Sequence, residues 1–544
     1  MSLPPTAGTG RSILLGMIIA ASFLLIVGLG CEQKQTVDLS WIEYPAAERG
    51  EETDVYHGVS VPDPYRWMED EQSPETQAWL AVQSGIAERF FDQLDVRAVV
   101  EAYLAANWIE GVLGVPVRKG DREFLWEPAE GENHAVLYVQ KDGGEPEVVF
   151  DLNKNDPDGT RSTLREITVS PKGRYVSWDI HYAGADAGET HFFDTETNQK
   201  LDEVIPASYS WVTDWLPDES GFFYTHLDIP GAPGQDVKRT PGVYRHTIGT
   251  PIDDDVLVYE RSWEGMFGAT AVLSDDKEYL LINDTNIMSS KGGWGIRELE
   301  GDRGTVVSWL IDPDPKHKFA YVGCKGSELF LVTDYEAPNW RIVAVNFDQP
   351  GIENLREVVS ESSQPISMYG GSNLDKVVLH SDRLYVTYID HNAHVIRVFD
   401  LDGNPQGEIE LPFLGSVTSI KTLKDDPILY VGLQSFLVPH SVYTYDTGTG
   451  TLTLLKSVEV PAEFDDFEVT RVFYHSKDGT RVPMSIMKRK DTPIDGAAKV
   501  LLYGYGGWGI PLMPGFRNWH HAWLQLGGIY AIANLRGGGE YGEA

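Results

Sequence analysis

Cysteine is almost absent: the 544 residues hold two, Cys31 and Cys324. Two cysteines exclude a disulfide framework and a four-cysteine zinc site. Basic residues are scarce as well, 44 Lys and Arg against 82 Asp and Glu, for a net charge of -38. So acidic a surface repels a phosphate backbone, and nucleic acid is not expected as a partner. No metal or other cofactor is expected either. The stretch "DLNKND", Asp151 to Asp156, opens like a calcium loop. However, Asp156 stands where the loop needs glycine and Ser162 where it needs a bidentate Glu, so a loop between strands is the better reading. His391 with His394 and His520 with His521 are pairs with no carboxylate cluster beside them.

Long apolar runs are missing too, except one. Arg11 is the only charged residue before "ILLGMIIAASFLLIVGLG", Ile13 to Gly30, which ends at Cys31. A basic start, an apolar core and small residues before a polar break are the marks of an export signal. Leu29-Gly30-Cys31 resembles the end of a bacterial lipobox, with Cys31 as the lipid attachment site. A plain membrane anchor or an uncleaved signal is the alternative. In each case the body of the protein is expected outside the cytoplasm, in the periplasm or at the cell surface. With Cys31 lipidated no internal disulfide remains possible, and Cys324 is expected as a small buried residue.

What is present is β-rich: 54 Gly, 25 Tyr and 15 Trp, with 42% apolar residues. After a tether over 32–50, Ser73-Pro74-Glu75 predicts a helix start, and a second helix is expected over Val96 to Ala106. From about residue 111 short strand cores recur. They begin at Phe124, Tyr175, Phe222, Tyr279, Leu329, Leu384 and Leu429, in steps of 45 to 57 residues. Seven such units predict a seven-bladed β-propeller over 111–460, with an array of sandwiches as the rival. Past 460 the pattern becomes a hairpin turning at Lys477-Asp478-Gly479, a buried strand in "KVLLYGYGGWG", a helix in "FRNWHHAWLQLGG" and a buried strand in "IYAIANLRGGG". That order opens a parallel α/β sheet. The expected fold class is thus a seven-bladed β-propeller plus a partial α/β-hydrolase domain over 461–544.

"YGYGGWG", Tyr503 to Gly509, carries the chemistry. Glycines at the end of a buried strand let backbone approach a ligand closely. In α/β-hydrolases this is where the oxyanion hole lies, and the Tyr505 hydroxyl could serve as a donor there, with Trp508 walling a small apolar pocket. A tight turn with aromatic packing is the other reading.

"YPAAERGEETDVYHGVSVPDPYRWMEDEQSPETQAWLAVQ", Tyr44 to Gln83, together with "FYHSKDGTRVPMSI", "LLYGYGGWG" and "NLRGGGEYGE", resembles the prolyl oligopeptidase family. The resemblance implies a propeller inserted into an α/β-hydrolase domain, so that 51–110 would be the N-terminal helical part of that domain. It implies a serine endopeptidase, monomeric, cutting short peptides after proline. Tyr505 would stabilise the oxyanion, while Gly506, Gly507 and Trp508 would contact substrate. Trp508 stands where the family usually has Phe, and the double glycine before it is similar to the proline-specific branch.

The family's serine lies in a G-G-S-N-G-G elbow, which has no match in residues 1–544. "GGSNLD", Gly370 to Asp375, departs at Leu374, where the elbow needs a small residue, and a strand-like run follows it. Ser372 is therefore not expected to be the nucleophile. The chain alone is expected to lack the Ser-Asp-His triad and to hydrolyse nothing. A surface-anchored binding propeller with a vestigial hydrolase segment is the alternative.

Overall fold

The computed structural model describes residues 37–542 apart from 71, 109–113, 128–133, 157–161, 183–186, 228–238, 262–266, 287–288, 300–307, 314–315, 370–372, 374, 423–425 and 461. Cys31, the apolar run before it and Ser372 lie outside the described residues. By contacts the chain forms two compact units, 1–108 with 521–526, and 109–520 with 527–544.

In the first unit, Ser73 accepts a hydrogen bond from the Thr76 amide at 3.2 Å and caps the helix Pro74–Phe91. The second helix spans Asp95–Ala106, one residue earlier than expected. A hairpin with no expectation in the sequence pairs Thr53–Tyr56 with Val59–Pro62. Its two-residue turn puts both His57 and Gly58 in the left-handed region, at φ +51° and +82°; Gly58 accepts this without strain, whereas His57 does not have that freedom.

Most of the second unit is a succession of antiparallel four-stranded sheets between Val117 and Ser457. Five are separate; two more share the 17-residue strand Gln199–Trp215. The first half of that strand pairs with Gly188–Asp194, and its second half with Gly221–Leu227. Each predicted strand core lies in the second strand of a sheet: Arg122–Glu127, Tyr175–Tyr182, Gly221–Leu227, Tyr279–Asn286, Glu328–Thr333, Arg383–Asp390 and Ile428–Gln434.

The reason these strands were legible is packing on both faces. Leu329 and Leu331 point into the cluster holding Leu281 and Trp294 of the preceding sheet. Phe330 and Val332, alternate in the same strand, point into the cluster holding Leu384 and Val386 of the following sheet. Similar clusters join every consecutive pair of sheets among the described residues. Cys324 is a free thiol buried in one of them, and burial pushes its pKa up to about 12. "DLNKND" is a short helical turn, Leu152–Asn155, with the Asp151 carboxylate accepting from the Asn153 amide at 3.1 Å. Among the described residues no group of three potential ligands could hold a metal ion.

After the last of these sheets comes a mixed sheet. Phe467–His475 and Arg481–Arg489 form the predicted hairpin, closed at Gly479 with φ +85°. Arg481–Arg489 pairs antiparallel with Ile529–Ala533, which in turn pairs parallel with Val500–Gly504. The helix Asn518–Gln525 connects the two parallel strands, as expected. One expectation fails. Ile529–Ala533 is buried throughout, but Val500–Gly504 is exposed, with Val500 at 57% and Leu502 at 62%. It is the outermost strand of the sheet, and the apolar run that announced a buried strand says nothing of which elements cover it.

Candidate active-site loop

Parallel pairing creates the site. Val500 to Gly504 run in register with Ile529 to Ala533, so the carboxyl ends of both strands emerge side by side. In parallel sheets this edge is where ligands are met. Each strand passes into a glycine-rich turn, 505–509 and 535–539, and the two turns pack backbone against backbone. A Cβ on Gly506 would lie 2.6 Å from the Arg536 carbonyl oxygen, one on Gly537 2.2 Å from that of Gly506, and one on Gly539 2.5 Å from that of Gly509. The Gly509 amide donates to the Gly537 carbonyl at 2.9 Å. Gly506, Gly509 and Gly537 all have φ between +66° and +91°.

This path presents two aromatic side chains. Tyr505 is 47% exposed and Trp508 67% exposed. Trp508 has φ +59°, a left-handed conformation costly for a bulky residue and found where surroundings over-determine the backbone. Gly507 has its α-carbon under the Tyr505 ring: a Cβ there would meet Cε1 at 3.2 Å and the phenolic oxygen at 3.5 Å. The four residues singled out in the sequence, Tyr505, Gly506, Gly507 and Trp508, therefore form one exposed turn.

Three supports went unseen in the sequence. Glu540 is buried, and its Oε1 accepts from the Leu512 amide and from Asn534 Nδ2, both at 2.8 Å. Asn534 also donates to the Leu512 carbonyl at 2.9 Å. Arg536 donates to Asp478 at the tip of the hairpin, which holds that carboxyl well below the usual range. Such supports pair side chains with backbone atoms or distant charges and leave no spacing pattern.

The other candidates fall elsewhere. His394 is fully enclosed, with Nδ1 accepting from the Val417 amide at 2.9 Å and Nε2 beside Ser367 Oγ at 2.9 Å; burial lowers its pKa to about 3. It is a neutral core histidine. His520 is buried with its ring centroid 4.3 Å from that of Tyr530, the two planes tilted by 32°, and His521 is also buried. Asn373, next to the undescribed Ser372, takes the amides of Lys376 and Val377 on its Oδ1 and opens the strand Val377–His380. An elbow would open a helix there.

Comparison with known proteins decides the family. Residues 44–458 match the family model described as prolyl oligopeptidase, N-terminal beta-propeller domain. The chain belongs to the prolyl oligopeptidase family. Its successive four-stranded sheets are accordingly those of a β-propeller domain. The chain is similar to a prolyl endopeptidase of Elizabethkingia meningoseptica, 29% identical, over 92% of this chain and 69% of the relative. It is similar as well to a prolyl oligopeptidase of Omphalotus olearius, 29% identical, over 93% of this chain and 72% of the relative. A solved chain from a structural and mechanistic analysis of two prolyl endopeptidases superposes with TM-score 0.83 at 31% identity, covering 92% of this chain and 72% of that one. The prolyl oligopeptidase model stops at residue 458, before the Tyr505 turn.

Proposed function

We propose that this chain supplies the propeller and the oxyanion side of a serine endopeptidase that cleaves short peptides on the carboxyl side of proline. The observation that carries the reading is the exposed Tyr505–Trp508 turn, held by backbone contact at the carboxyl edge of two parallel strands, in a chain of the prolyl oligopeptidase family. In this mechanism a serine attacks the scissile carbonyl, a histidine takes its proton and returns it to the leaving amine, and an aspartate orients the histidine. The Tyr505 hydroxyl and a backbone amide donate to the oxyanion, and Trp508 walls the proline pocket. Those three reacting residues have no recognisable motif in 1–544, so residues 1–544 alone are expected to be inactive.

The finer architecture belongs to the same reading. Seven blades over 111–460 close into a ring, supported by the Lys456 ammonium 2.5 Å from the Glu127 carboxylate, which ties the last sheet to the first. The segments 51–110 and 461–544 are assigned to the hydrolase domain on the family resemblance; by contacts only 521–526 of the second segment groups with 1–108, and the rest groups with the propeller. The ring would keep large folded proteins from the site. We propose also that the chain is exported, lipidated at Cys31 and monomeric; metabolic labelling with palmitate, lost in Cys31→Ser, tests the anchor.

The decisive experiment reads the frame past codon 544 for a G-G-S-N-G-G elbow and assays the complete product on a chromogenic peptide ending in proline. Cleavage after proline, with Tyr505→Phe lowering kcat about 100- to 1000-fold, is the expected result. A stop codon directly after Ala544 would instead favour the surface-anchored binding propeller.

A further inference from the structure

The turn Leu535 to Gly542 faces two ways. On one side Gly537, Gly539 and Glu540 hold the Tyr505 turn as described. On the other, the next residue, Tyr541, reaches the propeller: its hydroxyl lies 2.8 Å from His391 Nδ1, with ring centroids 5.8 Å apart. His391 occupies a two-residue hairpin turn at φ +63° and meets Phe473 edge-on at 5.0 Å. Its neighbours grip the mixed sheet as well. Asn392 donates to Ser485 Oγ at 2.6 Å, both residues being buried, and Asp390 lies 3.5 Å from Arg471. A Cβ on Gly542 would lie 2.5 Å from the Pro338 carbonyl oxygen in another propeller loop. A further propeller residue, Ser416, donates to the Pro514 carbonyl at 2.6 Å, at the far end of the segment that begins with Tyr505.

We propose that Glu540 and Tyr541 are positioning residues that make the geometry of the Tyr505 turn depend on how the propeller is seated. His391 and Asn392 fix where Tyr541 sits. Glu540, one residue away, carries that position to Leu512 and Asn534. Gly537 and Gly539 carry it to Gly506 and Gly509, and these backbone contacts have no side chain to absorb a displacement. A shift of the propeller therefore moves the Tyr505 hydroxyl, and misplacing a catalytic group by an ångström can cost about 100-fold in rate. The inference rests on the oxyanion role proposed for Tyr505.

Hydrogen exchange on purified 1–544 tests it, read on the peptide covering 505–512. The Gly509 and Leu512 amides in that peptide donate to the turn. His391→Ala and Tyr541→Ala should each speed its exchange about 5- to 10-fold, the effect of losing one hydrogen bond. The strands Arg383–Asp390 and Ile428–Gln434 should keep their protection, which shows that the propeller stays folded. Glu540→Ala should do the same as the other two, and Glu540→Gln, which keeps an acceptor at Oε1, should restore protection. Unchanged exchange in both His391→Ala and Tyr541→Ala overturns the coupling, whatever Glu540→Ala does to folding. Full activity of Tyr505→Phe in the complete product would sink the oxyanion role instead and leave these exchange results standing.

Discussion

The α-carbon of Gly537 and the carbonyl oxygen of Gly506 are so close that a Cβ on the first would stand 2.2 Å from the second. The two turns that follow the parallel strands thus touch through backbone alone, and the triple glycine Gly537–Gly539 has a steric cause.

Gly537→Ala should destabilise the chain by about 2–4 kcal/mol, the sum of a left-handed alanine and an overpacked contact. Gly143 is the control: it has φ +69° with nothing within 4 Å of its Cβ position. Gly143→Ala should cost only about 1 kcal/mol. Equilibrium urea unfolding of the two variants measures the difference; equal costs would refute the steric account.

Glu219 ties two adjacent sheets together. The buried carboxylate accepts from the Lys172 amide at 2.8 Å and from the Ser170 hydroxyl, both in the turn before Tyr175. Glu219→Ala strands both donors and should cost about 2–3 kcal/mol in the same unfolding assay. Glu219→Gln retains an acceptor and should cost less than half of that.

His246 makes stability depend on pH. Burial alone would lower its pKa, but the Asp255 carboxylate 2.7 Å from Nδ1 and Glu203 beyond Nε2 raise it to about 9. The folded value lies above the unfolded one of about 6.5. Its stabilisation is therefore complete below pH 6.5 and is lost as pH rises through 9. His191 works in reverse: burial lowers it to about 4, so its contribution is complete above pH 6.5 and fades as pH falls toward 4. Melting temperatures of the wild type and His246→Gln should converge between pH 6.5 and 9. Parallel curves over that range would rule the assignment out.

The propeller was legible because each sheet repeats one demand. Its second strand must be apolar on both faces, as Leu329 to Val332 show, and a turn must precede it. The Tyr505 turn was legible because its glycines follow an apolar run. The strand Gln199–Trp215 was not, since nothing local says that one strand will pair first with one neighbour and then with another. Nor were Glu540 and Asn534: a side chain that accepts from or donates to backbone looks like any polar residue in a loop. The exposure of Val500–Gly504 has no local signal, because apolar sequence records the need for burial and not the element that meets it.

By itself, then, the sequence determined the repeat of sheets, the hairpin and the strand–helix–strand order, because each is written in short-range spacing of apolar, glycine and turn residues; the family was legible only through the resemblance of its longer motifs. Tertiary structure alone decided that the two glycine turns lie against each other, that Glu540 holds Leu512, and that His391 meets Tyr541 across 150 residues of chain. Those contacts depend on strand register and on the seating of the propeller against the mixed sheet. They are properties of the packed chain that no local spacing encodes.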